Sequence, residues 1–109
     1  MIAIDGHSDA MGLKDASQSV IMNLANREAC LAIAQINRVD GVIAPVSQVG
    51  ALTANYIAQQ LDLPGLDLEV ANLLADKLAL RQCVTKLKLS ASQPFYSIKD
   101  LNELPLLER

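Results

Sequence analysis

The sequence has few aromatic residues, few cysteines and almost no histidine. Two tyrosines, one phenylalanine and no tryptophan occur in 109 residues, although 51% of the residues are hydrophobic, so the core must be aliphatic. Cys30 and Cys83 lie far apart with no CxxC spacing, and the single His7, expected in a solvated loop, cannot complete the four ligands of a structural metal site. Two buried thiols in a reducing compartment are the simplest interpretation.

The sequence also lacks a concentration of positive charge and a long apolar run. The formal net charge is −3 and the nine basic residues form no run, which excludes the basic face typical of nucleic-acid-binding proteins. The uncharged stretch 41–61 contains too many polar side chains for a membrane span. The N-terminus lacks the basic start of a signal peptide. We therefore expect a soluble, cytoplasmic protein with no nucleic-acid partner and no membrane partner.

Several catalytic and nucleotide-binding motifs are missing. The sequence has no Gly-x-Ser-x-Gly elbow, no GxGxxG turn and no P-loop lysine motif. Asp5, at the end of the first predicted strand, lacks the preceding glycines that a ribose-binding acid of a dinucleotide fold would have. A receiver-type phosphoacceptor would need an acid where Ala44 and Pro45 stand. Neither class is therefore supported.

The hydrophobic pattern predicts strands that alternate with helices. Short β-branched or apolar runs indicate strands, and apolar residues at i, i+3 and i+4 indicate helices. Strands are predicted at Met1–Asp5, Ser19–Asn23, Val42–Val46 and Pro94–Ile98. Helices are predicted at Arg27–Asn37, from a Ser47 cap to Leu61, at Leu68–Lys86 (as two helices or one kinked helix) and at Asp100–Leu104. This order favours an α/β fold with parallel strands joined by right-handed crossovers.

Two groups of residues are candidates for binding an anion. Ser47, Gln48 and Gly50 begin a helix after a predicted strand, and the free N–H groups of a helix N-terminus favour a negative group. The alternative there is that Ser47 simply caps the helix. Lys77 and Arg81 lie one helical turn apart and repel each other unless they share an anion such as phosphate. The alternative for this pair is a solvated helix face.

Five stretches, in this order, are similar to one known family. They are residues 4–16, residues 40–58, Leu63-Pro-Gly-Leu66, Asp76-Lys-Leu-Ala-Leu-Arg81 and residues 93–104. They are spread over nearly the whole chain, from residue 4 to residue 104. They resemble the N-terminal part of ATP-grasp enzymes, above all the carbamoyl-phosphate-synthase-like and phosphoribosylglycinamide-synthetase-like ligases.

This resemblance implies a fold, a reaction and a set of site residues. The fold would be a Rossmann-like preATP-grasp parallel sheet over residues 1–66, followed over residues 67–109 by a helical linker and the strand–helix start of the ATP-grasp domain. The reaction would be ATP-dependent carboxylate–amine ligation through an acylphosphate. Lys77, with Arg81 one turn on, would contact the ATP phosphates. Ser47, Gln48 and Gly50 would face the small carboxylate substrate, and ATP and magnesium would serve the full-length parent.

The chain departs from the family at both ends. The family's first strand and glycine-rich turn have no counterpart before Met1, and its metal-binding acids have none after Arg109, while Thr85–Ser90 replaces a usual small Ala-Gly turn. We therefore expect a fragment that does not catalyse alone. A sheet without its central strand exposes backbone groups, so we expect either direct pairing of Met1–Asp5 with Val42–Val46 or a homodimer, with exchange of an element such as Pro94–Ile98.

A non-catalytic α/β module for assembly or regulation is the alternative function. The two hypotheses differ in whether nucleotide binds at Lys77 and Arg81.

Overall fold

The computed structural model describes residues 1–89, 95–98 and 100 of the chain. The chain divides into two compact units, Met1–Ala75 and Asp76–Arg109. The boundary between them follows Ala75, whereas the family resemblance sets it after Leu66. The assignment of preATP-grasp and ATP-grasp domains stays a prediction.

The first unit contains a small parallel sheet and three helices. Strand β1 (Ile2–Asp5) pairs in parallel with β2 (Gln18–Ile21), with Ile2 opposite Gln18 and Asp5 opposite Ile21. The helices are α1 (Arg27–Ile36), α2 (Gln48–Gln60) and α3 (Leu68–Ala75). Residues 6–17 connect the two strands and include a short 3-10 turn, Met11–Leu13. The α/β class predicted from the sequence is confirmed, because parallel strands and helices are combined in one unit.

The core lies between α1 and α2. Cys30, Leu31 and Ala34 of α1 are buried together with Ile57 of α2, and Ile4 of β1 packs against this cluster. Three further buried residues of α2, Thr53, Ala54 and Ala58, have small side chains. Small side chains let the backbones of two helices approach closely, so the buried core is aliphatic and the only aromatic residue packed against it among the described residues is the partly buried Tyr56.

Side-chain caps begin the helices where the sequence predicts them. The Asn26 side chain accepts a hydrogen bond from the Ala29 N–H at 3.3 Å at the start of α1. Helix α4 (Lys77–Lys86), in the second unit, begins after Asp76, whose carboxylate accepts from Leu78 N–H and Ala79 N–H at 2.9 and 3.0 Å. The predicted Leu68–Lys86 segment is therefore two helices, separated by this cap.

Two strand predictions do not match the structure. Residues 42–46 form neither helix nor strand, and the same is true of residues 95–98, while Pro94 lies outside the described residues. A β-branched run forms a strand only when another strand offers it hydrogen bonds, and the described residues contain only the β1–β2 pair. Pro45 also removes one N–H from the 42–46 run. The predicted helix Asp100–Leu104 lies outside the described residues except for Asp100, which is in a bend.

Candidate functional site

The first unit has an open groove beside β1. Its volume is about 800 Å³, and its lining is mostly aliphatic. It is lined by β1, by the segment 39–46 and by residues of α1 and α2 up to Ile57, and we call the helix residues its floor. No residue of β2 lines the groove, so it lies on the edge of β1 that faces away from β2.

The hydrogen bonds of β1 show which backbone groups face the groove. The carbonyl of Met1 accepts from Ser17 N–H at 3.0 Å, and the carbonyl of Asp5 accepts from Met22 N–H at 2.8 Å, both on the β2 side. Backbone groups alternate in direction along a strand. The N–H and C=O groups of Ile2 and Ile4 therefore point the other way, into the groove, where the described residues offer no strand to pair with them.

The segment 42–46 lines the groove but has neither the hydrogen bonds nor the full burial alternation of a strand, because Val46 is exposed on the face that Val42 and Ala44 share. Val42 and Ala44 are half-buried, whereas Ile43 is 89% exposed and Val46 is 94% exposed. The direct pairing of Met1–Asp5 with Val42–Val46, one of the two outcomes expected from the sequence, is absent from the described residues. The gap between these two segments is the groove itself.

Two of the predicted substrate-loop residues line the groove where α2 begins. Ser47 caps α2 by accepting from the Gly50 N–H at 3.1 Å. A Cβ added to the buried Gly50 would lie 3.2 Å from the Ala44 Cβ and 3.3 Å from the Ser47 Cβ, so the 44–47 segment packs closely on the helix. The capping interpretation of Ser47 is confirmed. Whether this helix start also binds an anion stays a prediction.

Gln48, the third predicted loop residue, serves a structural contact. Its Nε2 donates to the carbonyl of Ala75, the last residue of α3, at 2.8 Å, and it does not line the groove. This bond ties the start of α2 to the end of α3 and partners one of the carbonyls that a helix leaves free at its end.

Lys77 and Arg81 are placed as the sequence predicts, one turn apart on α4. Both side chains are exposed, and neither forms an ion pair with any of the described residues. The adjacent Asp76 carboxylate is engaged by the N–H groups at the start of the same helix. These two cations are therefore available to a ligand that carries negative charge.

A polar cluster that sequence reasoning missed links α1 and α2. The Tyr56 hydroxyl donates to Oε1 of Glu28 at 2.7 Å, and the Arg27 guanidinium lies 4.6 Å from the Tyr56 ring centroid, a cation–π contact. The hydrogen bond to Glu28 raises the pKa of Tyr56, because it stabilises the protonated phenol. A single sequence gives no signal for such pairs, since Glu28 and Tyr56 lie on different helices.

The thiols and acids of the described residues form no metal centre. Both cysteines are free, and burial raises the pKa of the Cys30 thiol, which makes it less reactive. Nowhere in residues 1–89, 95–98 and 100 do three or more histidine, cysteine, aspartate or glutamate side chains come together so as to hold a metal ion. Asp5 lies 3.4 Å from His7 Nδ1 at the end of β1, a local contact between two neighbouring residues.

No family model, curated protein or solved structure matches this chain. The fold places it in the α/β class, and its groove and its cation pair are the features from which a function can be argued. Among the helices that the structure describes, none has the length and apolar character needed to cross a bilayer.

Proposed function

We propose that the chain is the substrate-side and linker part of an ATP-dependent carboxylate–amine ligase of the ATP-grasp type. In this function, Lys77 and Arg81 contact phosphate oxygens of ATP, and the loop of Ser47, Gln48 and Gly50 faces a small carboxylate substrate. The proposal rests on the family resemblance and on one structural observation: an exposed pair of cations lies one turn apart on α4 without an ion pair to the described residues.

The cation pair suits a phosphate chemically. Lys77 supplies a compact charge with rotatable donors, and Arg81 supplies a planar fork that can bond two oxygens at once. On the helix surface the two like charges repel, and a shared phosphate would reverse the sign of that interaction. A solvated helix face is the competing explanation, and only a binding measurement separates the two.

The start of α2 suits a carboxylate, but by its backbone more than by its side chains. The Ser47 hydroxyl is occupied in capping, and the Gln48 amide N–H₂ bonds to Ala75. What remains near the groove is the positive end of the α2 dipole, which favours an anion, because the Gly50 N–H is already bonded to Ser47. Gly50 contributes by letting the 44–47 segment pack against the helix.

Magnesium, which an ATP-grasp ligase requires, does not fit the described residues. They bring no group of three carboxylate, histidine or cysteine side chains together. The proposed role of this chain is therefore to bind and position substrates.

A nucleotide titration tests the proposal. Backbone amide shifts of the ¹⁵N-labelled protein, followed as Mg-ATP is added to millimolar concentration, should move at Lys77 and Arg81 and saturate. The variant Lys77→Gln with Arg81→Gln should lose at least tenfold in affinity. The matched control Lys86→Gln removes one charge from the last turn of the same helix and should change affinity less than threefold. No shift near residues 77–81 in the unaltered protein would overturn the proposal.

A non-catalytic assembly module is a second candidate function. The unpaired edge of β1, beside an aliphatic groove, is the observation that favours it, because a strand edge in such a place can bind another strand. This function would survive a failed nucleotide titration.

A further inference from the structure

The two edges of the small sheet differ in their surroundings. The outer edge belongs to β2, whose residues are exposed except for Val20, so water can satisfy its backbone groups. All residues of β1 are half-buried, and its free edge faces an aliphatic groove. Polar backbone groups without partners are costly where water competes poorly, so the β1 edge is the one that needs a partner.

The groove sets the form of that partner. The free N–H and C=O groups of Ile2 and Ile4 are spaced to pair with an extended chain. Residues 42–46 also line the groove, so an inserted strand would lie beside them as well as beside β1. A two-stranded sheet has little stability by itself, and adding strands on this side would enlarge it.

The volume and the floor of the groove fit a short segment with large side chains. A volume of about 800 Å³ lies within the range of about 300–1,000 Å³ that protein pockets offer to a small ligand. The floor includes Ala34, Gly50 and Ala54, and such small residues leave room for rings from an incoming strand. Four residues of strand extend about 13 Å, and β1 itself has four residues.

The chain contains a segment with the complementary properties. Residues 95–98, Phe-Tyr-Ser-Ile, consist mainly of strand-forming residues, yet they form no strand. Tyr96 is 71% exposed, and Ile98 is also exposed. This segment matches β1 in length and supplies two of the three aromatic rings of the protein. A strand-forming segment without a sheet and a sheet edge without a strand thus occur in one polypeptide.

We propose that residues Phe95–Ile98 of a second copy of this chain add as a strand to the free edge of β1, in the groove between β1 and residues 42–46. If each chain inserts its segment into the groove of the other, both β1 edges are paired. Such a reciprocal exchange has two-fold symmetry, so the assembly stops at a dimer. This inference does not depend on nucleotide binding, so the nucleotide titration and the test of this dimer can fail independently.

The first test is the mass in solution. Size-exclusion chromatography with light scattering, between 1 and 200 µM protein (about the range in which a moderate dimer dissociates), should show a dimer. Ile2→Pro removes an N–H that faces the groove and leaves the bonds to β2 in place, so it should weaken dimerisation at least tenfold. The control Ile2→Ala keeps the N–H and should weaken it much less. Phe95→Asp with Ile98→Asp should also give a monomer: residues 95 and 98 lie on opposite faces of a strand, so one of the two charges enters the aliphatic groove whichever face points into it.

Mixing the two defective proteins is the decisive test. Ile2→Pro has a damaged groove and an intact segment, and Phe95→Asp/Ile98→Asp has an intact groove and a damaged segment. At a concentration where each alone is monomeric, the mixture should form a heterodimer that retains one strand–groove contact. A monomeric unaltered protein, which includes the case of a segment docked in its own groove, would overturn the proposal. So would a dimer unaffected by the segment substitutions, or the absence of heterodimer in the mixture.

Discussion

The α1–α2 interface and the edge of β1 lie close together in the same unit. They differ in how many of their backbone hydrogen-bonding groups have partners within the described residues. A helix satisfies its own backbone hydrogen bonds, so packing α1 on α2 needs only matched side chains, and Cys30, Ala34 and Ile57 provide them. A strand satisfies only half of its backbone groups through each neighbour. With β2 on one side, β1 has one edge paired and one edge open to the groove. The comparison shows why a helical core can be complete in one chain while its sheet still offers a binding edge.

The largest expected effect is the loss of stability caused by a substitution in the α1–α2 interface. Ile57 is 3% exposed in the core, whereas Ile36 on α1 is 80% exposed. Ile57→Ala should lower the free energy of unfolding by about 2–5 kcal/mol, since it removes buried methyl groups and leaves a cavity. The matched substitution Ile36→Ala should change it by less than about 0.5 kcal/mol. Urea denaturation followed by circular dichroism measures both, and equal losses would show that Ile57 is not central to the core.

The next effect concerns the close approach of the α2–α3 connection to α2. A Cβ added at Gly65 would lie 2.8 Å from the Ala58 Cβ, so Gly65→Ala should destabilise the fold by about 1–3 kcal/mol. Gly41, in the groove wall, has nothing within 4 Å of such a Cβ. Gly41→Ala should therefore be neutral or stabilise by up to about 1 kcal/mol, by restricting the unfolded chain. A neutral Gly65→Ala would mean that the connection packs less closely than described.

A smaller effect on stability is expected at Ser47, which caps α2 and lines the groove. Ser47→Ala removes the cap of α2 and should cost about 1 kcal/mol of unfolding free energy. Ser47→Asp keeps an acceptor for the Gly50 N–H and should restore most of this loss. The same pair of variants separates the two roles of Ser47, because an added carboxylate would repel an anionic ligand at the groove. A ligand effect of Ser47→Asp without a stability effect of Ser47→Ala would contradict the capping role.

The smallest expected effect is on how the free energy of unfolding depends on pH, through the Tyr56–Glu28 hydrogen bond between α2 and α1. The hydrogen bond to Glu28 raises the pKa of Tyr56 in the folded protein, so the protonated phenol is favoured by folding. Its stabilisation should be complete below the unfolded tyrosine pKa of about 10 and should be lost as pH rises through the higher folded value. Unfolding free energies measured from pH 8 to 11 should fall less in Tyr56→Phe than in the unaltered protein. Identical slopes would show that this bond does not persist in solution.

Local sequence signals predicted the helices well and the strands only in part. Asn26, Ser47 and Asp76 each precede a helix in the sequence and cap it in the structure, because a cap depends on a few adjacent residues. The 42–46 run was wrongly predicted as a strand, because its β-branched composition carries no information about whether a partner strand exists. The position of Lys77 and Arg81 on one helix face follows from their spacing, but their role in binding phosphate stays a prediction.

Residue order alone was enough for the α/β class, the aliphatic core and the capped helix starts, because these depend on composition and on residues three or four positions apart. Only the three-dimensional arrangement revealed the groove, the free edge of β1, the use of Gln48 to hold α3, and the Glu28–Tyr56 bond. Each of these joins residues from different elements, and the physical cause is that backbone hydrogen bonds and side-chain contacts are completed by whatever the fold brings alongside. The pairing of a strand therefore depends on which segments the fold places beside it, whereas the start of a helix is determined by the residues of its own cap and first turn.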